Sequence, residues 1–293
     1  MRWSYRLGRF FDIDVRVHVT FLMLLAWIAM QSYDENKSLL SVLLSVLFSV
    51  TVFTFVVMHE YGHALTARRF GVRTRGITLY PIGGVAMLES MPKGAREQIL
   101  VALAGPSVNF VLAAGLATTM HFVGYDVLHD LVAVWRGRVS LVSEPSMLLS
   151  SLFWMNAIMG TFNLIPALPM DGGRVLNAAL SLRMDRVRAT RIASRVAKVV
   201  ALGFLAFAYA NDATMLGVIG LFVWFSSSAE LRAAEHNARV SGEGYTQVLG
   251  RTPWERMAQA SRGVPGRSSA VPGEVVEVVE GPHGPEVRVF RPR

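Results

Sequence analysis

Cysteine is absent from the 293 residues. That excludes a disulfide framework, a thiolate zinc site and a thiol nucleophile, and leaves the redox compartment unread. Charge is scarce as well. Only 17% of the residues are Asp, Glu, Lys or Arg, against about a quarter in a typical soluble domain, while 52% are hydrophobic. With a mean hydropathy of +0.39, the chain reads as one that crosses a membrane several times. Acidic residues are outnumbered by basic ones, for a net charge of +8. A nucleic-acid partner is nevertheless not expected. The basic residues fall in short clusters beside apolar runs, which is how topology signals are distributed.

What is there centres on His59-Glu60-Tyr61-Gly62-His63. On a helix, HExxH sets two imidazoles one turn apart on one face, where they can share a zinc ion with the glutamate beside it as general base. The preceding run, residues 42–58, carries no charged residue, so these groups lie at membrane depth. Ionisable side chains there need a partner to offset desolvation and mark functional sites by default.

The chain is read in order as an all-α polytopic membrane protein of about six spans, with a small β-hairpin or re-entrant segment after the second. A basic lead, residues 1–16, precedes a first span at 17–31, with His18 near its start as an interfacial residue. The second span covers 39–70 and ends in Arg68 and Arg69. Residues 71–97 stop looking helical. Two β-type runs, 77–80 and 85–88, flank a Pro/Gly turn and form a hairpin or re-entrant segment, either a plain connection or an edge to which an extended peptide can add as a strand. The third span, 97–122, contains Gly105-Pro106 and Asn109. That amide at depth either bridges helices or serves a site. A polar connection, 124–145, holds His129 and Asp130, with His121 just before it; these are expected in interfacial water.

The fourth span, 146–165, closes in Asn163-Leu164-Ile165-Pro166-Ala167-Leu168-Pro169-Met170-Asp171-Gly172-Gly173-Arg174. Asp171 there is either a solvated turn residue or a third zinc ligand, since catalytic zinc takes three protein ligands and keeps a position open. Spans five and six follow at 192–210 and 214–226, the last extending to 229. Two domains are expected: a membrane domain over 1–235 and a tail over 236–293, ordered in part at most. In the tail a short surface helix at 253–260 and a hairpin pairing 274–280 with 286–290 are expected, with His283 in its turn.

Lys and Arg give an internal test. Basic clusters lie at the N-terminus, after span two, after span four and in the tail, whereas the remaining connections carry Lys37, then Arg136 and Arg138, then none. All the clusters share one side only with six spans and both termini cytoplasmic. Glu60 precedes Arg68 by eight residues, about 12 Å along a helix, so HExxH and Asp171 fall at one depth near the inner surface.

On these residues the chain resembles the site-2 protease family of intramembrane zinc metallopeptidases. The resemblance rests on HExxH at 59–63, Gly105-Pro106-Ser107-Val108-Asn109, and the stretch from Asn163 to Gly172, and spans roughly residues 1–235. It implies that His59, His63 and Asp171 bind Zn2+, that Glu60 is the catalytic base and that Asn109 holds the substrate, near the oxyanion. The compact six-span type is implied, since the connection after span three is too short for a PDZ domain and the tail too short for a CBS pair.

The expected function is hydrolysis of peptide bonds in or near transmembrane segments of single-span membrane proteins, with the lipid bilayer as the surroundings and the oligomeric state open. Two other classes compete. A metal transporter uses the same ligands but gives Glu60 no task. A non-catalytic scaffold holding structural zinc needs a fourth protein ligand, with Glu89 and His18 as the candidates.

Overall fold

The computed structural model describes residues 3–81, 83–124, 145–240, 275–281 and 284–290. The connection with His129 and Asp130, the expected helix at 253–260 and His283 lie outside them. The chain divides into Met1–His236 and Asn237–Arg293. In the second unit β5 (Val275–Gly281) and β6 (Gly284–Phe290) pair antiparallel, the hairpin that the alternation around Gly-Pro-His-Gly-Pro predicts.

The first unit is mostly helical but not all-α, which corrects the sequence expectation. A four-stranded sheet runs β1 (Ser4–Phe10), β2 (Ile13–His18), β3 (Thr74–Tyr80), β4 (Gly83–Leu88). The basic lead is therefore a hairpin. Phe11 and Asp12, with φ of 51° and 63°, make the two-residue turn whose twist matches paired strands. Arginines in alternation with Tyr5, Leu7 and Phe10 mask the strand signal as a topology signal. β2 pairs parallel with β3, so a crossover must join them. Helices α1 (Val19–Asn36) and α2 (Leu39–Arg69) supply it.

His18 caps α1, its ring accepting the Thr20 N–H at 3.3 Å. Ser38 caps α2, whose last turn carries Arg68 and Arg69, a favourable charge at a helix C-terminus. Ile13 meets Ala64 and Ile77, and Val17 meets Phe21 and Leu79. The inner face of the sheet thereby covers the half of α2 that bears HExxH.

The remaining helices are α3 (Ala95–Val123), α4 (Pro145–Asn163), α5 (Asp171–Ser181), α6 (Arg186–Ala210) and α7 (Thr214–Val240). The short helix α5 takes the place of the turn expected around Asp171, which is its first residue. Four helices among the described residues, α2, α3, α6 and α7, are long and apolar enough to cross a bilayer. α1 ends in Asp34-Glu35-Asn36, which shortens its apolar part. Small residues bring backbones together: Ala193, Ala197 and Ala201 form a fully buried stripe on α6 against Leu168 and Val223, the packing that serves where no hydrophobic force acts between helices.

Candidate metal centre

Three elements bring the site together. On α2, His59 and His63 are buried, and their Nε2 atoms lie 3.1 Å apart. The loop after α4 contains the cis peptide Leu168–Pro169 and delivers Asp171 to the head of α5. Gly172 and Gly173 lie so close to the backbone of Leu164 and Ala167 that any Cβ would collide with it, so the loop can fold under the carboxylate only with glycine there. Asp171 Oδ2 stands 3.2 Å from each Nε2. Burial works against its charge. Metal binding requires the ionised carboxylate, and a cation at this point would offset that cost.

Which ring nitrogens carry protons follows from the groups behind them. The Leu152 carbonyl can only accept, so the Asn156 amide donates its NH2 to it, at 2.8 Å. The Asn156 oxygen therefore accepts from the Asn109 NH2, at 3.1 Å. The Asn109 oxygen is left facing His59 Nδ1, 2.5 Å away, and that nitrogen must be the N–H. On the other ring, His63 Nδ1 donates to the Val101 carbonyl at 2.7 Å. Neutral imidazoles so fixed turn only lone pairs inward. Two lone pairs and a carboxylate oxygen thus converge with no hydrogen to share.

A cation resolves that arrangement, and the spacing accommodates zinc. Zinc bonds of about 2.0–2.1 Å at the tetrahedral angle separate donor atoms by about 3.3 Å, close to the distances observed. Among the described residues these are the only three His, Asp or Glu side chains grouped closely enough for a metal. His18 instead caps α1 and stacks on Tyr80, and Glu89 pairs with Arg75 at 3.4 Å. A closed structural site with either as fourth ligand does not form. Gly105 completes the cradle: a Cβ there would strike His63 Nε2 and lie 2.6 Å from His59 Nε2.

Glu60 is half-buried beside the ligands and accepts the Ala86 N–H of β4 at 3.2 Å. Gly84 lets β4 approach this closely, since a Cβ there would come within 2.8 Å of Glu60 Cγ. Both border a cavity of about 750 Å³ that exposes His59, Glu60, His63 and Asp171 to Val85, Met159 and Phe222.

Asn109, on α3, stands behind His59. It is fully buried, with the two ends of its amide facing His59 and Asn156. Sequence reasoning missed Asn156, fully buried behind it. A carboxamide inside the apolar run of span four, like that in span three, is the signal that could have paired them.

The family model for Peptidase family M50 matches residues 47–207, more than half of the chain. A zinc metalloprotease of Methanocaldococcus jannaschii is 35% identical over 235 residues, covering 80% of this chain and 62% of its own length. The Mycobacterium tuberculosis relative Rip3 is 30% identical over 249 residues, covering 78% of this chain and 59% of its own. The chain thus spans about 60% of the length of these curated relatives. The solved site-2 protease from Methanocaldococcus jannaschii aligns with a TM-score of 0.55 and 33% identity, over 78% of this chain and 95% of that one.

Proposed function

Since the chain belongs to peptidase family M50, we propose that it is an intramembrane zinc metalloprotease, one that hydrolyses peptide bonds in or near the transmembrane segments of single-span membrane proteins. The observation that carries this reading is the convergence of His59, His63 and Asp171 within 3.2 Å on a cavity that Glu60 also borders. We assign His59, His63 and Asp171 as the metal ligands and Glu60 as the base. Zinc held by them supplies a Lewis acid that polarises a carbonyl and acidifies water at neutral pH.

The chain's own groups do the rest. Glu60 Oε takes the proton of the attacking water and returns it to the leaving amine, so proton and bond changes balance over one turnover. The Ala86 N–H holds that carboxylate against β4. Asn109, backed by Asn156, holds His59 as a positioning residue, and the Val101 carbonyl does the same for His63. A peptide bond in a helix is shielded by its own hydrogen bonds, so the substrate must unwind. β4 is the edge strand of its sheet on the cavity side, and its free backbone groups can take up an unwound segment by strand addition. Six spans with both termini cytoplasmic complete the proposal. The distribution of the basic clusters supports it.

The test is reconstitution of the chain in bilayers with a labelled single-span protein. A cleaved fragment is expected with zinc present, none after chelation, and recovery when zinc is returned. Metal flux across the same bilayer without any fragment would favour a transporter instead.

A further inference from the structure

Hairpin β1–β2 forms the lipid-side edge of the sheet, opposite the cavity edge. Its two faces differ. Tyr5 pairs with Val17 and Phe10 with Ile13, so these aromatics share the face on which Ile13, Val15 and Val17 pack towards α2. Yet Tyr5 is 63% and Phe10 58% exposed, because β1 overhangs the helix. Trp3 and Phe11 extend this apolar ledge and are equally exposed. On the opposite face Arg6 and Arg16 flank Asp14 at 2.8 and 3.3 Å, and Arg9 reaches Asp12 at 3.5 Å. A ribbon with aromatics on one side and arginines on the other is built for a boundary between apolar and charged layers.

Its depth agrees. The charge-free part of α2, from Leu39 to Met58, is about 29 Å long at the helical rise, the thickness of a bilayer's hydrocarbon. The turn of the hairpin packs beside the stretch that follows, and its open end, at Val17, reaches Phe53, Val56 and Val57 just inside the charge-free part. The Tyr61 hydroxyl donates to the Phe10 carbonyl at 3.1 Å, and Arg68 donates to the Phe11 carbonyl at 3.1 Å. At the upper end the Val19 N–H donates to the Trp3 carbonyl at 2.9 Å, tying the ribbon to the start of α1. The outer edge of β1 also carries unpaired backbone groups, which hydrocarbon does not tolerate and the hydrated headgroup layer does.

We propose that β1–β2 is a membrane-interface anchor: Trp3, Tyr5, Phe10 and Phe11 insert into the acyl boundary of the leaflet nearest the metal centre, and Arg6, Arg9 and Arg16 face its phosphates. Trp and Tyr favour this layer, and arginine pairs with phosphate in bidentate fashion. The bilayer is preferred to a second copy as occupant because the arginine face complements phosphate and because α1, which starts where the Trp3 carbonyl is held, leaves Leu22, Met23 and Trp27 exposed too. The same sheet ends at β4, so the anchor also sets the depth of the strand that holds Glu60. This rests on the membrane reading of the chain.

The absence of cysteine makes the test direct. Single variants Tyr5→Cys, Phe10→Cys, Arg6→Cys and Arg9→Cys, each at an exposed position, are nitroxide-labelled in the full chain. They are reconstituted in vesicles of phosphatidylcholine and phosphatidylglycerol. Relaxation by oxygen and by a water-soluble nickel chelate is compared, with Val111→Cys on α3, 72% exposed, as the span control. Labels at 5 and 10 are expected to give an oxygen-to-nickel ratio severalfold above those at 6 and 9 and below that at 111. Equal, water-like ratios at all four hairpin positions with a lipid-like Val111→Cys overturn the anchor alone. A water-like control overturns the membrane reading itself. Exclusion of both reagents at 5 and 10, with spin–spin broadening, shows a second copy on the ledge and also overturns the anchor.

Discussion

A Glu60→Gln chain is expected to keep one zinc per molecule and to cleave its substrate roughly 10²–10⁴-fold more slowly, the range for loss of a general acid–base group. The substitution preserves shape and leaves an oxygen for the Ala86 N–H, so β4 stays in place. Glu60 lies outside the trio of grouped donors, so metal content does not depend on it. The two outcomes together separate the three function classes. A scaffold or a transporter has no use for the carboxylate and would show wild-type behaviour in its own readout. Zinc titration and fragment yield, measured on one preparation, check it. Cleavage within a few-fold of wild type would remove Glu60 from the chemistry.

Gly105→Ala is expected to abolish stoichiometric zinc binding, a larger effect than the 10–100-fold cost usual for losing a supporting group behind a ligand. Its methyl would occupy the space in front of both Nε2 atoms. Retreat of α3 to admit it would disturb its packing on α4, where a Cβ on Gly160 would lie 3.2 Å from Phe110 and 3.3 Å from Asn109. Gly115→Ala on the same helix, with nothing within 4 Å, is the matched control. It should bind zinc normally and gain slightly in stability from helix propensity. Metal content by atomic absorption on the purified pair decides the matter. Equal zinc in both variants would show that the helices can separate and that Gly105 is not part of the cradle.

The ligand trio was legible in the sequence because membrane depth restricts which side chains can be ionisable at all. His59, Glu60, His63 and Asp171 lie in or beside apolar runs and had few other roles open to them. Helix ends were legible for the same reason, since Arg68-Arg69 and Pro166 interrupt uniform apolar runs. The N-terminal hairpin was not. Its arginines satisfy a topology rule and a strand alternation equally well, and periodicity over fifteen residues does not separate them. The contact of Asn109 with Asn156 on α4, 47 residues away, was not legible either. No local pattern carries that distance. Helix α5 was hidden by its glycines, which weaken helix propensity but are required here by the loop folded against them.

The claim on which the rest depends is that one zinc ion is gripped by His59, His63 and Asp171. Zinc K-edge absorption of the purified wild-type chain, alongside Asp171→Ala, tests it most directly. The account predicts two imidazole nitrogens and light-atom oxygen donors at about 2.0–2.1 Å at one zinc per wild-type chain, with occupancy collapsing in the variant. Identical spectra and equal zinc content in the two proteins would contradict it.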